Sequence, residues 1–429
     1  MSSPPLKVSA RKLKSVLKGR LSSLAQQPKF LQILMKADQA VLRAALKGSR
    51  ESRSEHVILN SPGSGNIGDQ AMFESFVRNV PGTILAIVKS DDAYTLPSNE
   101  DRSRVEFSIL PKLIYSKSFG HYADLWRLGR RISGAESFSV MGADIMDGGY
   151  GQHSSMVEWN IAKTIQESGI PARVLGFSWN GRAPREVTNL ARLAGKAGVR
   201  ILARDPDSHD RLVADGIAGV IQATDMVFSF AAAPTHASQS AAAEATKDIQ
   251  GKLAIVNVSG LIGRSIEQDA EYDHLLATLE NLGYTCLLLP HVSHSNVDDI
   301  SATVKLRAVS APPAKRSVFV DRLLSPTEVS ALVQRADVVV TGRMHLSILA
   351  LSAKKPVIVL ATQGKVSGLM SLFEVPEHCI EPTEGFGPQI SELLIRLESD
   401  RDAVVTRLSS NLADVKKLSA LNFDMVDPR

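Results

Sequence analysis

Two series of short, continuous apolar runs punctuate the chain, separated by longer stretches with apolar residues at helical spacing. The first series predicts strands at His56–Asn60, Thr83–Val88, Ser137–Met141, Arg173–Phe177 and Val199–Ala203. The second predicts strands at Leu253–Val258, Thr285–Leu289, Val318–Val320, Val338–Thr341 and Val357–Leu360. Runs that are apolar without alternation suit strands covered on both faces, and intervening helices call for parallel pairing through right-handed crossovers. The expected fold is α/β, with two Rossmann-like domains facing a cleft. Ala231–Ala243 lacks periodicity and reads as a linker. The division that follows is a basic helical extension over 1–55, an N-terminal domain over 56–235 and a linker over 236–250. A C-terminal domain over 251–390 and a closing helical segment over 391–429 complete it.

At 429 residues the chain exceeds one typical core, and 44% hydrophobic with 22% charged residues is ordinary for a globular protein. Cys286 and Cys379 stand apart in apolar surroundings without metal-ligand spacing, so free thiols and no metal are expected. No apolar run is long enough to span a bilayer, and the Met1 end lacks a signal-peptide core, which predicts a cytoplasmic protein. Charge is uneven. Residues 1–50 carry eleven Lys or Arg against one acid, Asp38, a balance of +10 that leaves the other 379 residues at −6 within a total of +4. Leu13, Val16, Leu17, Leu21 and Leu24 recur at helical spacing among those cations. Such a helix either packs on the body by its leucine stripe or lies on an anionic membrane surface, at the inner face of the membrane. Nucleic acid is not an expected partner, because the tail lacks interleaved aromatics and the body is acidic.

The chemistry gathers where strands end. Val338–Thr341 runs through Gly342 into a Leu-, Ile- and Ala-rich stretch, which sets Arg343 and His345 between a strand's C-terminus and a helix's N-terminus. Open α/β sheets bind ligands on that edge, and helix N-termini attract anions. Val357–Leu360 ends just before Lys365, bringing a second cation to the same edge. Two cations and an imidazole fit an anionic substrate and a proton transfer. Arg204 follows Val199–Ala203 and offers another cation, or pairs with Asp205, Asp207 or Asp225 and only fixes its loop. Gly63, Gly65 and Gly68 form G-x-G-x-x-G after the first strand, with Asp91 available to end the next one as in a dinucleotide fingerprint. The alternative is that these glycines let the backbone approach a partner in the cleft, presenting Asn66 and Asp69 to an acceptor. Met141–Gly149 puts Asp144 near the same edge, and His291 follows Thr285–Leu289.

Taken together these stretches resemble the polysaccharide pyruvyl transferases. The matching segments are Gly65–Asp69, Met141–Asp147, Ala203–Asp205, Thr224–Phe228, Leu289–His291 and above all Ser325–Glu328 through Ala336–His345, Lys355–Pro356 and Lys365. The resemblance implies a fold similar to the GT-B glycosyltransferases and transfer of the pyruvyl group of phosphoenolpyruvate, a co-substrate and not a cofactor. The product would be a pyruvate ketal on two hydroxyls of a glycan or lipid-linked saccharide, with phosphate released. It implies donor binding by Arg204, Arg343, His345 and Lys365, with His345 and Arg343 catalytic and Asp69 a weaker catalytic candidate. Asn66, Gly68, Asp69, Asp144 and His291 would then face the acceptor. Family members often show a Gly-Gly pair where this chain has Gly142–Ala143, and a Gly-Pro where it has Phe177–Gly181. Trp179, within that second loop, either stacks on a sugar or belongs to the core. Two other readings remain: a nucleotide-sugar glycosyltransferase with the same fold, and a non-catalytic glycan-binding relative.

Overall fold

The computed structural model describes residues 28–47, 53–96, 98, 100–230, 235–249, 251–294, 297–309, 316–361 and 366–424. The leucine stripe at 13–24 and Lys365 lie outside the described residues. Seven parallel strands form the first sheet: β1 (Arg53–Leu59), β2 (Thr83–Val88), β3 (Val105–Ile109), β4 (Ala135–Ala143), β5 (Ala172–Phe177), β6 (Arg200–Ala203) and β7 (Val220–Gln222). Their order is β3-β2-β1-β4-β5-β6-β7. Six parallel strands form the second: β8 (Lys252–Val256), β9 (Tyr284–Leu288), β10 (Val318–Phe319), β11 (Val338–Thr341), β12 (Val357–Leu360) and β13 (Cys379–Ile380), ordered β10-β9-β8-β11-β12-β13. Strand order reverses between β1 and β4 and again between β8 and β11. Crevices for ligands open at such reversals, outside the strands' C-terminal ends.

All ten strands read from the sequence are present, within three residues of their expected bounds. The three that escaped, β3, β7 and β13, are edge strands with weaker apolar runs. Val338, Val339 and Val340 of β11 have no exposed surface, because helices cover both faces of the sheet.

Two boundaries need correction. The extension does not end at residue 55 as a separate part. Helix α1 (Pro28–Leu46) sinks Leu31, Met35, Leu42 and Ala45 into the N-terminal domain, and β1 starts at Arg53. It packs on α3 (Phe119–Ile132), where Gly129 approaches Ala45 so closely that a Cβ there would sit 2.6 Å from the Ala45 Cβ. The expected linker over 236–250 contains a helix over His236–Ala245, capped by Thr235, whose side chain accepts from Ser238 N–H. An alanine-rich run lacks an amphipathic pattern yet has the strongest helix propensity, and here propensity prevails over the missing periodicity.

The closing helix, Phe386–Ala420, returns from the second domain to the first. Just beyond it, Asn422 accepts from Gly176 N–H at 2.7 Å and donates to the Thr224 carbonyl at 2.9 Å. Cys286 and Cys379 are both free. No described helix is long and apolar enough to cross a membrane.

Candidate active site between the two sheets

The loops at the two reversals face each other and enclose a cavity of about 360 Å³. The first sheet contributes Ser61, Asn66 and Asp69 after β1, Tyr115 after β3, and Ala143, Asp144 and Tyr150 after β4. The second contributes Leu261 after β8, His291 and His294 after β9, and Gly342, Arg343 and His345 after β11.

The glycine-rich turn is what lets the walls meet. Asn66 N-caps helix α2 (Ile67–Asn79), its side chain accepting from Gly68 N–H at 2.9 Å. Asn66 also bridges to Val292, while Ser293 N–H donates to Gly65 O at 2.7 Å and Ile67 N–H to His291 O at 3.2 Å. Gly65 has φ 79°, and a Cβ there would lie 2.2 Å from the Ser293 carbonyl oxygen. Gly68 is needed for another reason: a Cβ would fall 2.1 Å from Nδ1 of His345. Gly65 and Gly68 therefore serve close approach by the opposite domain.

His345 opens α11 (Met344–Ser352) with its ring against Gly68. Its Nε2 stands 3.5 Å from Asp225 Oδ2, without a well-aligned hydrogen bond among the described residues. Burial pushes the Asp225 carboxyl up, but His345, Arg204 and the Val227 N–H outweigh it and hold it down at about 2. Asp69, in the first turn of α2, goes the other way. Burial raises its carboxyl to about 6, against the pull of His345 and of bonds from Ser61 and Gly63. The two carboxyls near one imidazole thus differ: Asp225 is fixed as an anion and Asp69 titrates near neutrality.

The two arginines also divide. Arg343 lines the cavity and forks onto Asp299, with Nη2 2.5 Å from Oδ1 and Nε 3.2 Å from Oδ2. Asp299 is fully buried and also accepts from the N–H groups of Gly260, His291 and Val292 and from Asn257 Nδ2, at 2.9–3.0 Å. Arg204, expected to bind the donor, is not among the residues that line the cavity. It is 1% exposed and lies behind the wall, donating to Ser178 Oγ at 2.7 Å, to Asp225 at 3.1 Å and to Asp144. Its neighbours on three sides absorb the guanidinium, as the loop-fixing reading allowed. It carries Asp144 and Asp225 and does not itself face the cavity.

His291 is buried with no hydrogen-bond partner on either ring nitrogen among the described residues. Burial, then His345 and Arg343, hold it well below its ordinary value, so it is neutral at physiological pH. Trp179 belongs to the core. It is fully buried beside Trp159 and Phe177, and its Nε1 donates to Asp215 at 2.7 Å. Ala143 occupies the left-handed region at φ 43°, at the position where the resemblance leads one to expect glycine. Sequence reading gave no role to Asp299, nor to Asp225 beyond an ion-pair partner. Tyr115 and Tyr150 carried no signal at all, since each is a lone aromatic in a loop.

Parallel sheets reversed about a shared crevice define a two-domain α/β enzyme with a GT-B-like fold. Solved structures agree on that fold. UDP-GlcNAc 2-epimerase from Neisseria meningitidis, bound to UDP-GlcNAc, superimposes with a TM-score of 0.57 at 10% identity, covering 87% of this chain and 99% of that one. A putative UDP-N-acetylglucosamine 2-epimerase from Listeria monocytogenes gives 0.55 at 9% identity, covering 88% and 98%. At such identity the likeness concerns the fold alone. No match is found among curated proteins. The family is settled by sequence: residues 66–364 match the polysaccharide pyruvyl transferase model, and the chain belongs to that family. It is a transferase of polysaccharide synthesis.

Proposed function

We propose that this enzyme moves the pyruvyl unit of phosphoenolpyruvate onto two hydroxyls of a glycan sugar, making a pyruvate ketal and releasing phosphate. The observation that carries the reading is the seating of His345, an imidazole inside the interdomain cavity, packed on Gly68 and beside the Asp225 anion. Arg343 stands two residues away on the same wall. Phosphoenolpyruvate joins a carboxylate and a phosphate on one short skeleton, which suits a guanidinium fork. Lys365, which the sequence reading sets after the next strand, supplies the second cation in this proposal.

Both new C–O bonds form at the donor's C2, and the C2–O bond to phosphate breaks. Two acceptor hydroxyl protons are displaced; one proton ends on C3 as a methyl and one leaves with phosphate. His345, seated in the cavity beside Asp225, delivers the C3 proton. Asp69, ionised above about pH 6, accepts a hydroxyl proton. Asn66, Asp144 and the neutral His291 hold the sugar, and Gly68 admits the imidazole.

The test follows phosphate release from phosphoenolpyruvate with a panel of saccharides, checked by mass for the added ketal. The reading expects acceptor-dependent release, lowered about 10²–10⁴-fold in His345→Ala. Turnover of a UDP-sugar, with phosphoenolpyruvate inert, would instead favour the glycosyltransferase reading.

A further inference from the structure

The face formed by α1 and α3 carries apolar side chains that the chain leaves uncovered among the described residues. Phe119 is 91% exposed, Ile33 62%, Trp126 47%, Tyr115 46% and Phe30 41%. Phe119 and Trp126 lie seven residues apart on α3, which places them on one side of that helix. Exposed cations surround them: Lys36, Lys112, Lys117 and Arg130. The acids that reach this surface from other elements are paired, Glu167 with Arg43 of α1 and Glu106 with Arg131 of α3. The one acid of α1 is Asp38 and the one acid over 107–134 is Asp124, and both are buried, against His121 and Arg127 respectively.

The face also has a fixed relation to the cavity. Helix α3 follows β3 and precedes the parallel β4, so its N-terminus lies at the strands' C-terminal edge, where Tyr115 lines the cavity. Helix α1 runs alongside α3 in the same direction: Asp38 bonds His121, and Leu42 and Ala45 meet Gly129. Phe30 and Ile33 therefore belong to the end nearest the cavity. Residues 1–27 join α1 at that end and carry six Lys or Arg without a single acid. A tail of the same sign cannot neutralise this face, so the partner that does must be anionic and must also accept aromatic and aliphatic side chains.

We infer that the α1–α3 face docks on an anionic lipid bilayer, with Phe119, Trp126 and Ile33 entering the interface and the flanking cations meeting headgroup phosphates. Aromatic side chains favour the headgroup boundary, and clustered Lys and Arg add electrostatic attraction to anionic lipid. The orientation presents the cavity edge to the membrane surface. This inference stands on the surface alone and is independent of the chemistry proposed for the cavity.

Trp126 supplies the readout, since Trp159 and Trp179 are fully buried. Full-length protein is mixed with vesicles rich in phosphatidylglycerol or made of phosphatidylcholine alone, followed by flotation and tryptophan emission. The expected result is co-flotation and a blue shift with the anionic vesicles only, and quenching of Trp126 by brominated lipid. Phe119→Ser with Lys117→Glu should lower vesicle affinity about tenfold or more. Its melting temperature and far-UV spectrum verify folding, and a second variant, Ile33→Ser with Lys36→Glu, should act the same way. Absence of flotation would overturn the inference. So would flotation without a Trp126 shift, which would place the contact elsewhere, or loss of binding only when the six cations of residues 1–27 become Gln. A dimer broken by Phe119→Ser and indifferent to lipid would assign the face to a second copy and equally overturn it.

Discussion

Arg204 and Arg343 each stand just beyond a strand's C-terminus, after β6 and β11, yet they end in different roles. Arg204 is walled in by Ser178, Asp144 and Asp225 and never reaches the cavity. Arg343 forks onto one carboxylate, Asp299, and keeps a face on the cavity. The anions they hold differ as well. Asp299 has three backbone N–H donors and an Asn side chain besides its arginine. Asp225 has the Val227 N–H, the looser His345 contact and Arg204. One arginine therefore supports buried charge, whereas the other faces the cavity and holds a carboxylate that has other donors.

That contrast can be broken in order of size. Arg204→Ala strands Asp225 in a buried site, and unpairing a buried charge costs about 3–5 kcal/mol; urea unfolding should show it. Arg343→Ala should cost only about 1–2 kcal/mol, because Asp299 keeps its other donors, while the stabilisation by phosphoenolpyruvate disappears. Equal losses of stability in the two variants would erase the distinction.

Asp69 probes the cavity's pH dependence. Its carboxyl rises from 3.8 to about 6 on folding, so the folded state binds the proton more tightly than the unfolded chain does. Stability contributed by this group is therefore present at low pH and lost as pH rises through roughly 4 to 6. Asp69→Asn should remove that slope and gain on the order of 2 kcal/mol at pH 7. It should also flatten the acid limb of the rate near pH 6 while lowering the rate itself. A pH–stability curve unchanged by the substitution would contradict the assignment. The smallest effect is at Ala143, where Gly removes left-handed strain at a gain under about 1 kcal/mol, read as a slightly higher melting temperature.

The sequence shows which edge of each sheet carries chemistry, because strand ends and turn glycines are local signals. Arg343, His345, Asp69, Asn66, Asp144 and His291 do gather around one cavity. What local pattern cannot show is which way a side chain faces once neighbours from distant strands arrive. Arg204 is enclosed by residues 21, 26 and 60 positions away. Trp179 is likewise covered by Trp159 and bonded to Asp215, 20 and 36 positions away. Gly68 illustrates the converse: its φ is unremarkable, and the need for glycine comes from an imidazole 277 positions later in the chain. The helix at His236–Ala245 escaped because composition without periodicity reads equally as helix or linker.

In the proposed reaction the Arg343–His345 wall receives an anionic three-carbon donor. The most direct measurement is calorimetric titration of phosphoenolpyruvate, and separately UDP, into the parent protein and Arg343→Ala. Phosphoenolpyruvate should bind the parent saturably and the variant at least about tenfold more weakly, a loss of about 1.4 kcal/mol or more, with UDP silent. Undiminished phosphoenolpyruvate binding in Arg343→Ala, or binding of UDP in its place, would contradict it.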